Sequence, residues 1–246
     1  MDISSYPRWA QEMVDRVSAA KKRVVGHEVL WRLREGRLDR GATHSFLAGL
    51  WPTIEQFPQY MALNLLKVEY GRSPGHDLAR AYLIRNIRAE QKRADYWIDW
   101  AEAAGVSRAT LVSGSAPKAT RAQSQWCWHI CQRGSLAAGL AATSYAIGRA
   151  TGEWALLVCA AETYRSSFPP DTRVKAMRWL KAHAQCDDSC PWEALEIICT
   201  ILGVKPSPSV VAELESVVRK SYESMATTLD DCLAAPPKGA LELGVA

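Results

Sequence analysis

Apolar residues recur at helical spacing along almost the whole of this chain, and no segment between turn residues alternates apolar and polar with period two. That pattern leaves no place for a sheet and predicts an all-α fold, a bundle of seven or more helices. The punctuation agrees. Ser5 and Pro7 read as the cap and first-turn proline of a helix running to about Val25. A second apolar face at Val29, Leu30 and Leu33 ends near Gly36. The apolar run from Gly41 to Val68 carries Pro52 and Pro58, so it reads as two helical pieces or one kinked helix. After a turn at Gly71 to Gly75, Asp77 reads as the cap of a helix to Ala104, which Gly105 stops in the left-handed conformation. Further helices are expected from Arg121 to Gly134, from Leu136 to Ser166, over 172–188 behind a capping Asp171, from Pro191 to Leu202, and from Ser209 to Leu233. The run LAAGLAATSYAIGRATGEW is rich in small residues, which lets another helix approach closely, so it is placed at the bundle centre. No loop is long enough to divide the chain. The reading is a single domain over 1–246, with its core over about 5–235 and a frayed tail after 236.

Thirty basic and twenty-six acidic residues are interspersed without a basic stripe, so no nucleic-acid partner is expected. Charge or Gly interrupts every apolar stretch within about a dozen residues, too short to span a bilayer, so no membrane partner is expected. The seven Cys are odd in number and lack a disulfide-framework spacing, and the start MDISSYPRWAQEMVDR lacks the apolar core of a signal peptide. A cytoplasmic location with free thiols is the expectation. Ten Trp are many for this length and suit a helical protein with a ligand cavity. Trp51, Tyr60, Met61 and Trp179 are candidates for its wall, or for plain core.

Two stretches hold candidate chemistry. In NIRAEQKRADYWIDW, Glu90 and Arg93 are three apart and share a helix face; the commonest meaning of such a pair is a solvent-facing ion pair. Asp95 and Asp99 fit a surface stripe. In RWLKAHAQCDDSCPWEALE, His183, Asp187 and Cys190 stand at i, i+4 and i+7, which a continuous helix would stack on one face. The spacing matches no zinc signature. Cys127 and Cys131 at i,i+4 read as buried thiols, and His27 as a pocket residue or a helix-surface His.

These stretches, together with YAIGRATGEW at Tyr145 to Trp154, carry a resemblance over roughly residues 5 to 235. The chain resembles the haem-oxygenase-like di-iron oxidases, grouped with the TenA-like thiaminase II proteins. It is most similar to the branch that turns medium-chain fatty acids into terminal alkenes. There the first phrase resembles NIRVEQNHADHW with a metal-binding E-x-x-H, the second YAIEGATGEW, and the third H-x-x-x-D-x-x-H before PWEALEII. Carried over position by position, Glu90, His183 and Asp187 match metal ligands. Arg93 and Cys190 stand where the resemblance expects His, Gly148 where it expects a bridging Glu, and Tyr96 where a further His is common.

The substitutions have physical consequences. Arg cannot give up its proton to ligate iron. Gly has no side chain to bridge two metals. Cys can ligate, but a thiolate suits a different metal poise. Losing two cations would leave buried carboxylates unpaired; removing one carboxylate at 148 and adding a cation at 93 offsets this. An internal salt bridge of Arg93 with Glu90 or Asp187 is therefore expected. The resemblance then implies a small-molecule biosynthetic enzyme of oxidase or oxygenase type with an altered site. Its cofactor would be none or a single iron on Glu90, His183 and Asp187, with a full di-iron site not expected. His183, Asp187 and Cys190 are the catalytic candidates, and Arg93 and Tyr96 the substrate-binding ones. The substrate would be an amphipathic carboxylate, a fatty or amino acid, and the assembly a homodimer. The competing expectation is a catalytically inactive scaffold that binds a ligand or a partner protein.

Overall fold

The computed structural model describes residues 2–113, 118–185 and 190–234, and among them it contains helices and no strand. The helices are α1 (Arg8–Val25), α2 (Glu28–Arg34), α3 (Arg40–Leu65), α4 (Pro74–Ala103), α5 (Arg108–Val112), α6 (Lys118–Arg133), α7 (Leu136–Gly139), α8 (Gly148–Ala160), α9 (Glu162–Ser166), α10 (Pro170–Ala184), α11 (Cys190–Leu202) and α12 (Pro208–Ala234). A π-helical segment, Leu140–Ile147, joins α7 to α8 without a break in helical backbone. The frayed tail expected after 236 lies outside the described residues.

Several helix starts differ from the sequence reading, for one shared reason. Ser73, not Asp77, caps α4: its side chain accepts from the His76 N–H, with Pro74 in the first turn. Asp77 sits inside the first turn, where it complements the helix dipole, and its Oδ1 accepts from Gly71 N–H at 2.8 Å. Asp171 likewise lies in the first turn of α10 behind Pro169. Pro7 is itself the residue before α1, and Ser5 belongs to a short 3₁₀ turn. Gly105 does stop α4, with φ +82.

The long helix α3 passes through both Pro52 and Pro58 as one element. Each proline removes an intrahelical hydrogen bond. Packing holds the helix regardless, because Phe46, Leu47, Trp51, Phe57, Tyr60 and Met61 are all buried.

The small-residue stretch lies at the centre, as expected. Every residue of the π segment is buried, and it packs against α11, α12, α8 and α7. Close approach explains Gly139: a Cβ there would meet Asn64 Oδ1 of α3 at 2.0 Å. Around this rod, α3 packs on α4 and α6, α10 on α4 and α8, and α12 on α1 and α6. One apolar core runs through the bundle. Its heaviest part is a ring cluster in which Trp179 stands 4.7 Å from Trp97, 5.3 Å from Trp154 and 5.7 Å from Trp100. Among the described residues no helix is long and apolar enough to cross a membrane.

Candidate functional site

A cavity of about 80 Å³ opens beside this tryptophan cluster. That is room for several water-sized groups, on the order of 10–15 Å³ each. Its walls are mostly apolar, with Phe46, Ile54, Phe57, Met61 and Trp97 among them. The polar end is built by four helices. From α4 come Glu90 and Arg93, from the start of α8 Gly148, from α10 His183, and from the start of α11 Cys190, and all five line this one cavity. On α4 the inward stripe is Tyr82, Asn86, Glu90, Arg93 and Trp97, the 3-4 spacing of one helix face.

The Glu90–Arg93 pair is not solvent-facing. Arg93 Nη1 donates to Glu90 Oε1, and each side chain is only 11% exposed. Burial pushes the Glu90 carboxyl above its ordinary range, and the Arg93 cation offsets part of that. His183 lies flat on Trp179, with ring centroids 3.8 Å apart and planes at 28°. Its Nδ1 donates to the Trp179 carbonyl at 3.1 Å. That bond leaves Nε2 with its lone pair. Burial first, and the Arg93 cation second, hold the imidazole well below its ordinary pKa.

His183 is therefore expected to stay neutral through mild acid. Its folded-state pKa is depressed, so below about pH 6.5 the unfolded chain takes up the proton first and stability falls from there downward. Proton-titration NMR of the labelled histidines checks this. A His183 that titrates near its ordinary pKa would contradict it.

Other candidates fall elsewhere. Tyr96 does not line the cavity; its ring lies under Arg178 of α10, 5.2 Å from the guanidinium carbon. Asp95 is exposed and Asp99 partly so, pairing with Arg178 at 3.3 Å, which agrees with a surface stripe. Asp187 lies outside the described residues. Met61 and Trp179 line the cavity, whereas Trp51 and Tyr60 are core. Cys127 and Cys131 are buried thiols. His27 is neither a pocket nor a surface residue: its Nδ1 caps α2 by accepting from Val29 N–H, and its Nε2 meets Asp230 Oδ1 at 3.0 Å. Two features escaped the sequence reading. One is the π segment, which supplies Ser144 and Ile147 to the wall. The other is Gln123 of α6, 2% exposed, which a stripe extended one turn back from Cys127 would have placed inward.

Among the described residues, those at the carried-over positions differ from the ligand set that the resemblance implies, with Asp187 lying outside them. The guanidinium of Arg93 pairs with a Glu90 oxygen, so a metal on Glu90 would have to share that carboxylate with a cation. A Cβ at Gly148 would meet Pro191 Cγ at 3.2 Å, so a side chain there requires Pro191 to give by a few tenths of an ångström. Among the described residues no three of His, Cys, Asp and Glu come together as a set that could hold a metal ion.

No protein-family model and no curated protein matches the chain. Solved structures do. A domain of unknown function with a haem-oxygenase-like fold from Shewanella denitrificans is 14% identical with a TM-score of 0.72, covering 95% of this chain and 93% of that one. A putative TenA-like thiaminase from Sulfolobus solfataricus is 15% identical with a TM-score of 0.66, over 92% and 96% of the two chains. A TenA homologue from Pseudomonas syringae pv. tomato is 47% identical with a TM-score of 0.93, over 96% of both chains. At that identity over nearly the full length, this chain belongs to the TenA family, on the all-α haem-oxygenase-like fold.

Proposed function

We propose that this chain is a small-molecule enzyme related to the fatty-acid-oxidising branch, with the branch's metal site replaced by an ion pair and its cavity kept for an amphipathic carboxylate. The observation that carries the reading is the buried Glu90–Arg93 pair at the polar end of a largely apolar cavity. A ligand carboxylate entering there competes with Glu90 for the guanidinium fork, which matches a carboxylate bidentately. Glu90, whose carboxyl burial already favours protonated, can release Arg93 by taking up a proton. His183 then offers Nε2 of a neutral imidazole to a ligand proton, held in orientation by the Trp179 carbonyl and ring. Cys190, at the first residue of α11, adds a thiol at the same wall. The proposal has the site work with one iron or none, on a fatty or amino acid, in a homodimer.

A second reading, a scaffold without catalysis, is favoured by the same substitutions at Gly148 and Arg93. Binding comes first in either case. Titration of the protein with decanoate, followed by tryptophan fluorescence, should give saturable binding that Arg93→Met weakens at least tenfold. Equal affinity in the variant would sink both the carboxylate grip and the enzyme reading built on it. Turnover of a bound acid, lost in His183→Gln with binding retained, separates enzyme from scaffold.

A further inference from the structure

The far wall of the cavity is not apolar. Gln123 is 2% exposed and lines the cavity, and its Oε1 has no hydrogen-bond partner among the described residues. A buried acceptor left unpaired is costly, so such a group marks something that pairs with it. It stands on a different helix wall from the charged pair, since α6 and α4 are not among the packed helix pairs. Gln123 belongs to α6, which packs on α3 and α12. Its sequence neighbour Ser124 bonds Gln56 and Tyr60 of α3, and Trp126 one turn on bonds Ser221 of α12. This sets Gln123 at the level of Phe57 and Met225, both on the cavity wall. Arg93, His183 and Cys190 come from α4, α10 and α11, of which α4 packs on both others, whereas α6 packs on α3, α12 and the π segment. Trp179, which lines the cavity and stacks on His183, has its indole N–H buried and unpartnered among the described residues, a further donor. The cavity thus presents the guanidinium from the α4 wall, an acceptor from the α6 wall, and mostly apolar side chains, with Ser144 and Thr53 among the polar ones.

We infer that the ligand is polar at both ends: a slim carboxylic acid with a hydroxyl at the end away from its carboxylate, an ω-hydroxy alkanoic acid in place of a plain fatty acid. The inference rests on the carboxylate reading above and adds the far-end group. The carboxylate takes the Arg93 guanidinium and the Trp179 N–H. The alkyl chain lies along Ile54, Phe57 and Ile147. The terminal hydroxyl donates to Gln123 Oε1. A plain fatty acid would leave that acceptor buried against a methyl group, and sites built to meet a hydroxyl reject the analogue lacking it.

The test compares decanoate with ω-hydroxydecanoate, and the octanoate and dodecanoate pairs, by calorimetric titration of the full chain. The hydroxy acid of at least one length should bind about tenfold tighter than its plain counterpart. Gln123→Leu should erase or reverse that preference. Gln123→Met, closer in shape, serves as the second variant, and both are checked for a native melt. Plain acids binding as tightly as hydroxy acids at every length in the unaltered protein would overturn the inference and leave the carboxylate reading standing. A preference that persists unchanged in both variants would overturn the assignment to Gln123. Failure of every acid to bind would remove the carboxylate reading and this inference with it.

Discussion

Replacing Arg93 by Met should destabilise the protein by about 3–5 kcal/mol near neutral pH, the usual cost of stripping one partner from a buried ion pair. For a chain of this size that lowers Tm by roughly 6–20 °C. Surface ion pairs cost far less, about 0–1 kcal/mol; this one differs because both side chains are only 11% exposed. The loss should shrink in acid. Burial already holds the Glu90 carboxyl above its ordinary range, and Arg93 is what limits the rise. Without the cation, the folded-state pKa of Glu90 moves further above the unfolded value. The folded variant then keeps a proton that the unfolded chain has released, so its stability rises as pH falls through that pKa to the unfolded value. Below the ordinary carboxylate range, about 4.3 for Glu, the electrostatic part of the difference from the parent is gone. The parent must be measured alongside, because burial makes His183 cost stability in acid in both proteins, and less so in the variant, which lacks the Arg93 cation. Adding Glu90→Gln to the variant should recover most of the loss at neutral pH, since an uncharged pair leaves no orphan charge. Melts of the parent and both variants from pH 4 to 8 provide the check. A single variant as stable as the parent at pH 7 would show the pair to be ornamental.

Trp179→Ala is the second large effect. The ring is fully buried and touches Trp97, Trp100, Trp154 and the His183 imidazole. Removing it should cost about 3–5 kcal/mol through lost transfer energy and the void left behind. Trp179→Phe keeps much of the packing and should cost clearly less. The site should feel the change as well as the fold, because the backbone bond from His183 survives but the stacking that fixes its ring plane does not. Denaturant unfolding gives the stability, and the His183 signals in NMR report the ring. An Ala variant within about 1 kcal/mol of the parent, below the usual range for such a truncation, would mean the cluster collapses to fill the space.

Much of this architecture was legible in the sequence, because helical periodicity and glycine or proline stops are local signals. The misreadings have physical causes. Asp77 and Asp171 look like caps because an acid in the first turn satisfies the helix dipole without capping it. Pro52 and Pro58 look like breaks, but the buried aromatic face of α3 outweighs two lost hydrogen bonds. The π segment leaves no trace in a run of small apolar residues, where a change of phase alters nothing visible. The site was legible in another way. Glu90, Arg93, Gly148, His183 and Cys190 lie far apart in sequence, and only their shared family phrases placed them around one cavity. Tyr96 fails because it sits one position off the stripe of Glu90, Arg93 and Trp97, and so turns toward Arg178. Gln123 had only a weak sign, a polar residue on the inward face of α6.

Iron content tests most directly the proposal that the buried Glu90–Arg93 pair stands where the resemblance implies a two-metal site. Protein purified from iron-supplemented cells, assayed by elemental analysis, should carry at most one iron per chain. Arg93→His combined with Gly148→Glu and Cys190→His should raise that content, provided Pro191 yields the few tenths of an ångström that a side chain at 148 requires. About two irons per chain in the unaltered protein would contradict the account, for Arg93 and Gly148 would then have to be compatible with the very centre they are argued to replace.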